Sequence, residues 1–274
     1  MIEFLKAILF GIVECITEWL PVSSTGHMIL LDEFIKLDVS AEFYEMFQVV
    51  IQLGAIMAVV ILFWGKIFPI VRKGNKYCIN TDIMSLWGKI IVACVPAAIV
   101  GLLFDDVFEA LFYNYVSVSI ALIVFGVAFI VVENAHNKRI PKVGSTSEIT
   151  YKLALAIGVF QLIAAVFPGT SRSGATIIGA LLLGVGRVAA AEFTFYLAIP
   201  VMFGASLLKL LKFGFAFTTT ELGILAIGMV TAFAVSMLVI KFLLSYIKKH
   251  DFKVFGWYRI ALGALVLLYF GVIA

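Results

Sequence analysis

Two short stretches hold most of the side chains in this sequence that are suited to chemistry. The first runs Glu14-Cys15-Ile16-Thr17-Glu18-Trp19-Leu20-Pro21-Val22-Ser23-Ser24-Thr25-Gly26-His27. Glu14 and Glu18 are four residues apart, so on a helix their carboxylates share one face about one turn apart. The helix must stop near Pro21, and Ser23-Ser24-Thr25-Gly26 then opens the next segment with hydroxyls and free N–H groups, a natural place for an anion. The second stretch is Pro168-Gly169-Thr170-Ser171-Arg172-Ser173-Gly174-Ala175-Thr176. It repeats the design and adds a guanidinium, whose planar fork suits phosphate oxygens. Taken singly, a Ser-Ser-Thr-Gly run is usually a cap or turn, and a Glu pair usually a solvated face.

The surrounding composition makes the ordinary explanation expensive. The chain is 63% hydrophobic and 14% charged, with mean hydropathy +1.13. A soluble domain of this length could not hide so much apolar surface, so the bilayer is its solvent. A charge at mid-membrane costs about 2.5–3.5 kcal/mol on the mildest scale. Glu14, Glu18 and Arg172 uncompensated would together cost roughly 8–10 kcal/mol, against a typical domain stability of about 5–15 kcal/mol. Packing is therefore a poor reason to keep them. The net charge of +3 is small and scattered, which argues against a nucleic-acid partner. Cys15, Cys78 and Cys94 share no ligand-like spacing and suggest neither a disulfide nor a cysteine metal site. The start, Met1-Ile2-Glu3, lacks the basic leader of a removable signal peptide.

The elements that must position these residues follow from hydropathy. A full span needs about 20 apolar residues. Phe43–Trp64, Leu86–Phe104, Tyr115–Val132, Phe193–Leu211, Leu222–Tyr246 and Val254–Ile273 qualify. Ile2–Leu20 and Tyr151–Phe167 instead run into a proline and a polar cluster, followed by stretches too short to span. The expected fold is an all-α polytopic membrane protein with six full transmembrane helices and two broken, re-entrant hairpins.

The two broken regions align at a shift of 147 residues, with Gly11 on Gly158, Pro21 on Pro168 and Ser24 on Ser171, which places Thr25 opposite Arg172. An internal repeat explains this order. Residues 1–140 and 141–274 would each hold one hairpin and three spans. The odd number of spans inverts the second half and brings both breaks near the midplane. Lys66, Arg72, Lys73, Lys76 and Lys89 flank one connection, Lys138, Arg139 and Lys142 another, and Lys248, Lys249 and Lys253 a third. The connection between the second and third spans carries Asp105, Asp106 and Glu109. Basic loops face the cytoplasm, so both termini should lie outside, with Lys209 and Lys212 dissenting mildly.

These motifs resemble the undecaprenyl-pyrophosphate phosphatases linked to bacitracin resistance. That family's signatures are E-x-x-x-E leading into P-V-S-S-T-G-H, and P-G-x-S-R-S-x-x-T; they appear at Glu14–Glu18, Pro21–His27 and Pro168–Thr176. Phe47–Gly54 and Gly184–Pro200 extend the resemblance over nearly the whole chain, while Gln48 departs from it where many members carry a carboxylate. The resemblance implies hydrolysis of undecaprenyl pyrophosphate to undecaprenyl phosphate and inorganic phosphate, which recycles the lipid carrier for cell-wall peptidoglycan synthesis. It also implies a place in the bacterial cytoplasmic membrane, among membrane lipids, with an active site reached from the outer face.

In that chemistry Arg172 and the hydroxyls of Ser23, Thr25, Ser171, Ser173 and Thr176 would hold the phosphates. Ser24 is the preferred nucleophile, with His27 as its base or proton relay, and attack by an activated water is the other route. Glu14 and Glu18 would repel a pyrophosphate unless a hard divalent cation, Mg²⁺ or Ca²⁺, lies between them, or unless one is protonated and acts as general acid. The family's divalent-cation dependence points to the former. A transporter or lipid flippase is the competing class, since inverted repeats with broken helices are also transporter architecture. A pure transporter needs no nucleophile. Gly179, Gly184 and Gly186 permit close helix contacts within the chain or across a homodimer.

Overall fold

A computed structural model of the chain describes residues 1–73, 76–138 and 140–273. Arg139, and the side chains of Lys73, Asp105, Asp106 and Glu109 that entered the loop-charge pattern, lie outside the described residues.

The first half opens with α1 (Ile2–Trp19), a four-residue break, and α2 (Ser24–Phe34). Helices α3 (Ala41–Val50) and α4 (Gln52–Leu62) follow each other through Ile51, which keeps helical dihedrals, so they act as one span. After a single turn, α5 (Trp64–Ile67), come α6 (Thr81–Phe112) and α7 (Tyr115–His136). The second half repeats the order: α8 (Tyr151–Val166), a break, α9 (Arg172–Leu182), then α10 (Arg187–Phe213), α11 (Thr219–Ile247) and α12 (Lys253–Leu268). Six helical segments are long and apolar enough to cross a membrane, and each contains most of an expected span. The chain is an all-α polytopic membrane protein.

Two features depart from the expected outline. Strands β1 (Ile70–Lys73) and β2 (Lys76–Ile79) form an antiparallel hairpin between α5 and α6, with Val71 opposite Cys78. The segment expected as an acidic connection after Phe104 is instead helical, because α6 continues to Phe112. Phe104, Phe108 and Phe112 recur every fourth residue, with ring centroids 6.0 and 6.4 Å apart, and Phe112 reaches Phe167 at 4.9 Å. That aromatic stripe gives the helix a reason to continue, and no Gly or Pro interrupts it after Gly101. At 32 residues α6 is about 48 Å long, more than the hydrocarbon core requires.

Packing between the halves is reciprocal. Helix α1 lies on α11, and α8 lies on α6. Helices α7 and α12 pair with each other across the halves. The approach is close enough to demand glycine: a methyl on Gly158 would sit 2.1 Å from the Ala93 carbonyl oxygen, and one on Gly126 2.7 Å from that of Gly256. A methyl on Gly179 would sit 2.4 Å from the Phe160 ring, so its small size serves a contact within the chain, whereas Gly184 and Gly186 meet Lys142 and Val143 only at ordinary contact distance.

At one end of the bundle a buried ion pair ties three elements together. Glu133 on α7 is fully buried, accepts from Arg187 Nε at 3.0 Å and from its Nη2 at 2.6 Å, and accepts from the Phe252 N–H at 2.9 Å. Arg187 also donates to Asn137. Just beyond α11, burial disfavours the charged form of Asp251, but hydrogen bonds from Lys253 and Asn137 outweigh it and hold the carboxyl below its ordinary value.

Candidate active site

The two breaks bring the two motifs together. Helix α1 ends at Trp19, whose indole N–H donates to Ser236 Oγ on α11 at 2.7 Å, and Pro21 prevents continuation. The chain restarts as α2 from Ser23, which adopts φ 74°, ψ 106°. Helix α8 ends at Val166, and α9 restarts from Ser171 at φ 70°, ψ 122°. These two serines are the non-glycine residues at positive φ among the described residues. Such backbone costs of order 1–3 kcal/mol and persists only where the surroundings impose it.

Because the second break is one residue longer, with Gly169 at φ 92°, the restarts align at a shift of 148. Ser23 corresponds to Ser171, Ser24 to Arg172 and Gly26 to Gly174. The expected pairing of Thr25 with Arg172 is therefore off by one position.

Glu18 is the meeting point. Its Oε1 accepts from Arg172 Nη2 at 2.9 Å and its Oε2 from the Ser24 hydroxyl at 3.1 Å. Its main-chain carbonyl accepts from Ser173 Oγ at 3.0 Å. The Glu18 and Arg172 side chains are each 13% exposed, so the pair is shielded yet open on one side. One turn back, buried Glu14 accepts from the Gln52 amide of α4 at 2.7 Å. Arg172 also reaches the Thr194 carbonyl of α10 at 3.4 Å.

His27 is engaged elsewhere than on Ser24. Its Nδ1 lies 2.7 Å from the Ser23 carbonyl and its Nε2 2.7 Å from the Tyr258 hydroxyl. A carbonyl can only accept, so Nδ1 carries a proton, and Nε2 of a neutral ring accepts from Tyr258. In this arrangement the group that receives the Ser24 hydrogen bond is Glu18, not the imidazole three residues on.

The remaining polar residues divide sharply. Thr176 is fully buried, donates to the Arg172 carbonyl at 3.0 Å and pairs with the Thr194 hydroxyl at 2.9 Å. Ser173 is buried against Glu18. The Ser171 hydroxyl caps α9 by accepting from Gly174 N–H at 3.2 Å. At the first break Ser23 makes no such cap, and its buried hydroxyl has no hydrogen-bond partner among the described residues. The first N–H groups of α2 are thus uncapped by Ser23, and Thr25 beside them lines a cavity of about 650 Å³ with Gln48, Tyr44, Asp32, Pro168 and Lys209. Among the described residues no group of three or more His, Cys, Asp or Glu side chains is placed to hold a metal ion.

Several residues of the site lie outside the two signature motifs. Gln52, Thr194 and Tyr258 enter by contact from distant helices. Arg259 did have a sequence signal, as a lone guanidinium inside an apolar span, where a charge is a functional or structural marker by default. It is fully buried and donates to main-chain carbonyls of both breaks.

Comparison with known proteins places this site in context. The family model described as "Bacitracin resistance protein BacA" matches residues 7–265. A protein named undecaprenyl-diphosphatase from Desulfitobacterium hafniense is 65% identical, covering 98% of this chain and 97% of its own. Undecaprenyl-diphosphatase 1 of Clostridium acetobutylicum is 64% identical, covering 98% of each. An Enterococcus faecalis undecaprenyl-diphosphatase is 64% identical over 97% of each. With both breaks inside the matched region, the chain belongs to the BacA bacitracin resistance protein family.

Proposed function

We propose that this chain is a membrane phosphatase that hydrolyses undecaprenyl pyrophosphate to undecaprenyl phosphate and inorganic phosphate. That activity returns carrier lipid to cell-wall synthesis and confers bacitracin resistance. The observation that carries it is Glu18 held between a hydroxyl, Ser24, and a guanidinium, Arg172, at the meeting of two helix starts. The names borne by relatives about 65% identical support the same substrate.

In the first step the Ser24 oxygen attacks the terminal phosphorus and its proton passes to Glu18. The bond from that phosphorus to the bridging oxygen breaks, and undecaprenyl phosphate leaves with the electron pair. Water then attacks the phosphorus of the seryl phosphate, the bond from phosphorus to the Ser24 oxygen breaks as Glu18 returns its proton to that oxygen, and the water's oxygen and protons leave with the inorganic phosphate. Arg172 and the free N–H groups at the start of α2 stabilise charge on the transferring phosphoryl oxygens. His27, oriented by the Ser23 carbonyl and Tyr258, relays protons. Ser23, Thr25, Ser171, Ser173 and Thr176 serve unequally: Thr25 faces the cavity, and the others shape the cradle. Glu14 and Glu18 are the carboxylates that would hold Mg²⁺ or Ca²⁺ with substrate oxygens, and such an ion when bound offsets their repulsion of the pyrophosphate.

The reciprocal packing of α1 on α11 and α8 on α6 supports an inverted repeat of residues 1–140 and 141–274. The cavity is lined by Phe108, Tyr113, Lys209 and Phe270, near the ends of α6, α10 and α12. That end lies away from Lys138, Lys142, Lys248 and Lys249, which supports an opening on the outer face of the cytoplasmic membrane.

Phosphate release from the lipid pyrophosphate by purified protein in detergent tests the assignment. A flippase would release none, since no membrane separates two sides there. Seryl phosphate found at Ser24 by mass spectrometry after rapid quench supports the covalent route; quantitative turnover by Ser24→Ala would replace it with direct attack by water.

A further inference from the structure

We propose that Arg259 is a positioning residue for this reaction, acting through the backbone of both chain breaks. Helix α12 carries it into the protein at 0% exposure. Its Nη1 donates to the Pro21 carbonyl at 3.3 Å, in the first break. Its Nη2 donates to the Gly169 and Thr170 carbonyls at 2.8 and 2.7 Å, in the second. No carboxylate among the described residues lies within ion-pair distance of it, and its Nε has no hydrogen-bond partner. A buried guanidinium is costly without compensation, and here three peptide dipoles supply it. Irregular backbone at membrane depth in turn needs donors for its carbonyls.

The arrangement does more than satisfy polar groups. Each acceptor lies within two residues of a strained serine: Pro21 before Ser23, Gly169 and Thr170 before Ser171. In a trans peptide the N–H points opposite to the carbonyl. Holding the Thr170 carbonyl on Arg259 therefore turns the Ser171 N–H away from the guanidinium and sets the direction in which Arg172 leaves the break. Holding Pro21 does the same for the approach to Ser24. One side chain thus fixes the separation between the hydroxyl and the guanidinium that meet at Glu18. Gly174 makes room for it, since a methyl there would sit 3.0 Å from Arg259 Nη1. Displacing a reacting group by about 1 Å can cost on the order of 100-fold in rate.

The inference rests on the phosphatase reading, and the test separates the two. Wild-type, Arg259→Lys, Arg259→Met and the double variant with Arg172→Lys are purified in detergent, counted as folded, monodisperse protein, and assayed for phosphate release from lipid pyrophosphate. Arg259→Met should lower kcat per folded molecule by about 10–100-fold while KM moves little, since the groups that touch the phosphates remain. Arg259→Lys should recover part of that loss, because an ammonium can serve some of the three carbonyls but not in fork geometry. The loss should be non-additive with that of Arg172→Lys, because both act on one geometry. Should Arg259→Met fail to fold, the lysine variant and its double carry the same expectations. Wild-type kcat per folded molecule in the Arg259 variants, or strict additivity, would overturn the proposal while leaving the phosphatase reading intact. A wild-type protein that releases no phosphate overturns both.

Discussion

The two broken hairpins start from nearly the same backbone and end in different states. Both restart from a serine at φ near 70°, and both place a glycine at the third helical position. Helix α9 is then buried from Ser173 through Leu181, and its first turn is closed by the Ser171 cap. Helix α2 buries only Gly26 and Met28 among its eleven residues, and its start has no side-chain cap. The sequences give the reason. Arg172-Ser173-Gly174-Ala175-Thr176-Ile177 offers small and apolar side chains that fit between α7, α8 and α10, whereas His27, Asp32 and Glu33 on α2 resist such enclosure. Rigidity and reactivity are thereby divided between the halves. The second break fixes a cation in a packed frame, and the first leaves its helix start without a side-chain cap, beside a cavity that Thr25 lines.

The sharpest way to break that division is to remove the reactive group from the open side. Ser24→Ala should lower kcat by about 10⁴-fold, the scale seen when a member of a nucleophilic constellation is removed. Phosphate release from protein verified as folded is the readout. Retention of a tenth of normal activity would move the attack to water and leave the first break with a binding role only.

Arg172→Lys probes the rigid side. Lysine keeps the charge but loses the fork that reaches Glu18 and the Thr194 carbonyl. Loss of a preorganised donor typically costs about 10²–10³-fold in kcat, or about 2.7–4 kcal/mol. Near-normal turnover in a folded variant would reduce Arg172 to a partner of Glu18 that holds the hairpins together.

His27 links the open break to α12, so Tyr258→Phe should have a smaller effect than either. Removing the hydroxyl leaves the ring packed and Nδ1 on Ser23, and only the Nε2 contact is lost. A neutral hydrogen bond is worth about 0.5–1.5 kcal/mol net, so kcat should fall by about 2–10-fold. A loss as large as that of His27→Ala would make Tyr258 itself a proton carrier.

What could be read from residues alone follows the same physical divide. The spans were legible because a bilayer demands about 20 apolar residues, and the breaks because Pro21 and Pro168 interrupt otherwise good helices. The length of α6 was not, since Asp105, Asp106 and Glu109 resemble a loop to any hydropathy argument, while the Phe104–Phe108–Phe112 stripe that continues the helix depends on a neighbour, Phe167. The motif residues were legible as a set. Their pairing was not: whether the Ser24 hydroxyl meets His27 or Glu18 is decided by the positive φ of Ser23, a conformation that spacing cannot encode. Arg259 was visible as a charge inside a span, but counting hydropathy absorbed it into Val254–Ile273.

The smallest expected effect compares the two restart serines directly. Ser171 and Ser23 share a strained φ, so replacing either with alanine leaves that strain in place. The difference lies in what each hydroxyl does. Ser171 Oγ accepts from Gly174 N–H at 3.2 Å, and removing an N-cap of this kind costs about 1 kcal/mol. Ser23 Oγ is buried without a partner among the described residues, so its removal gives up no hydrogen bond and relieves a desolvated hydroxyl. Ser171→Ala should therefore unfold about 2–4 °C below Ser23→Ala in detergent, with Ser23→Ala at or slightly above wild type. Glycine isolates the backbone contribution: at Ser23 it removes the steric penalty at no loss of a bond, whereas at Ser171 the relief is offset by the lost cap. Equal destabilisation by the two alanine variants would mean that the Ser23 hydroxyl is bonded in the working protein. The first break would then be capped like the second, and the openness that sets α2 apart would have to come from its burial pattern instead.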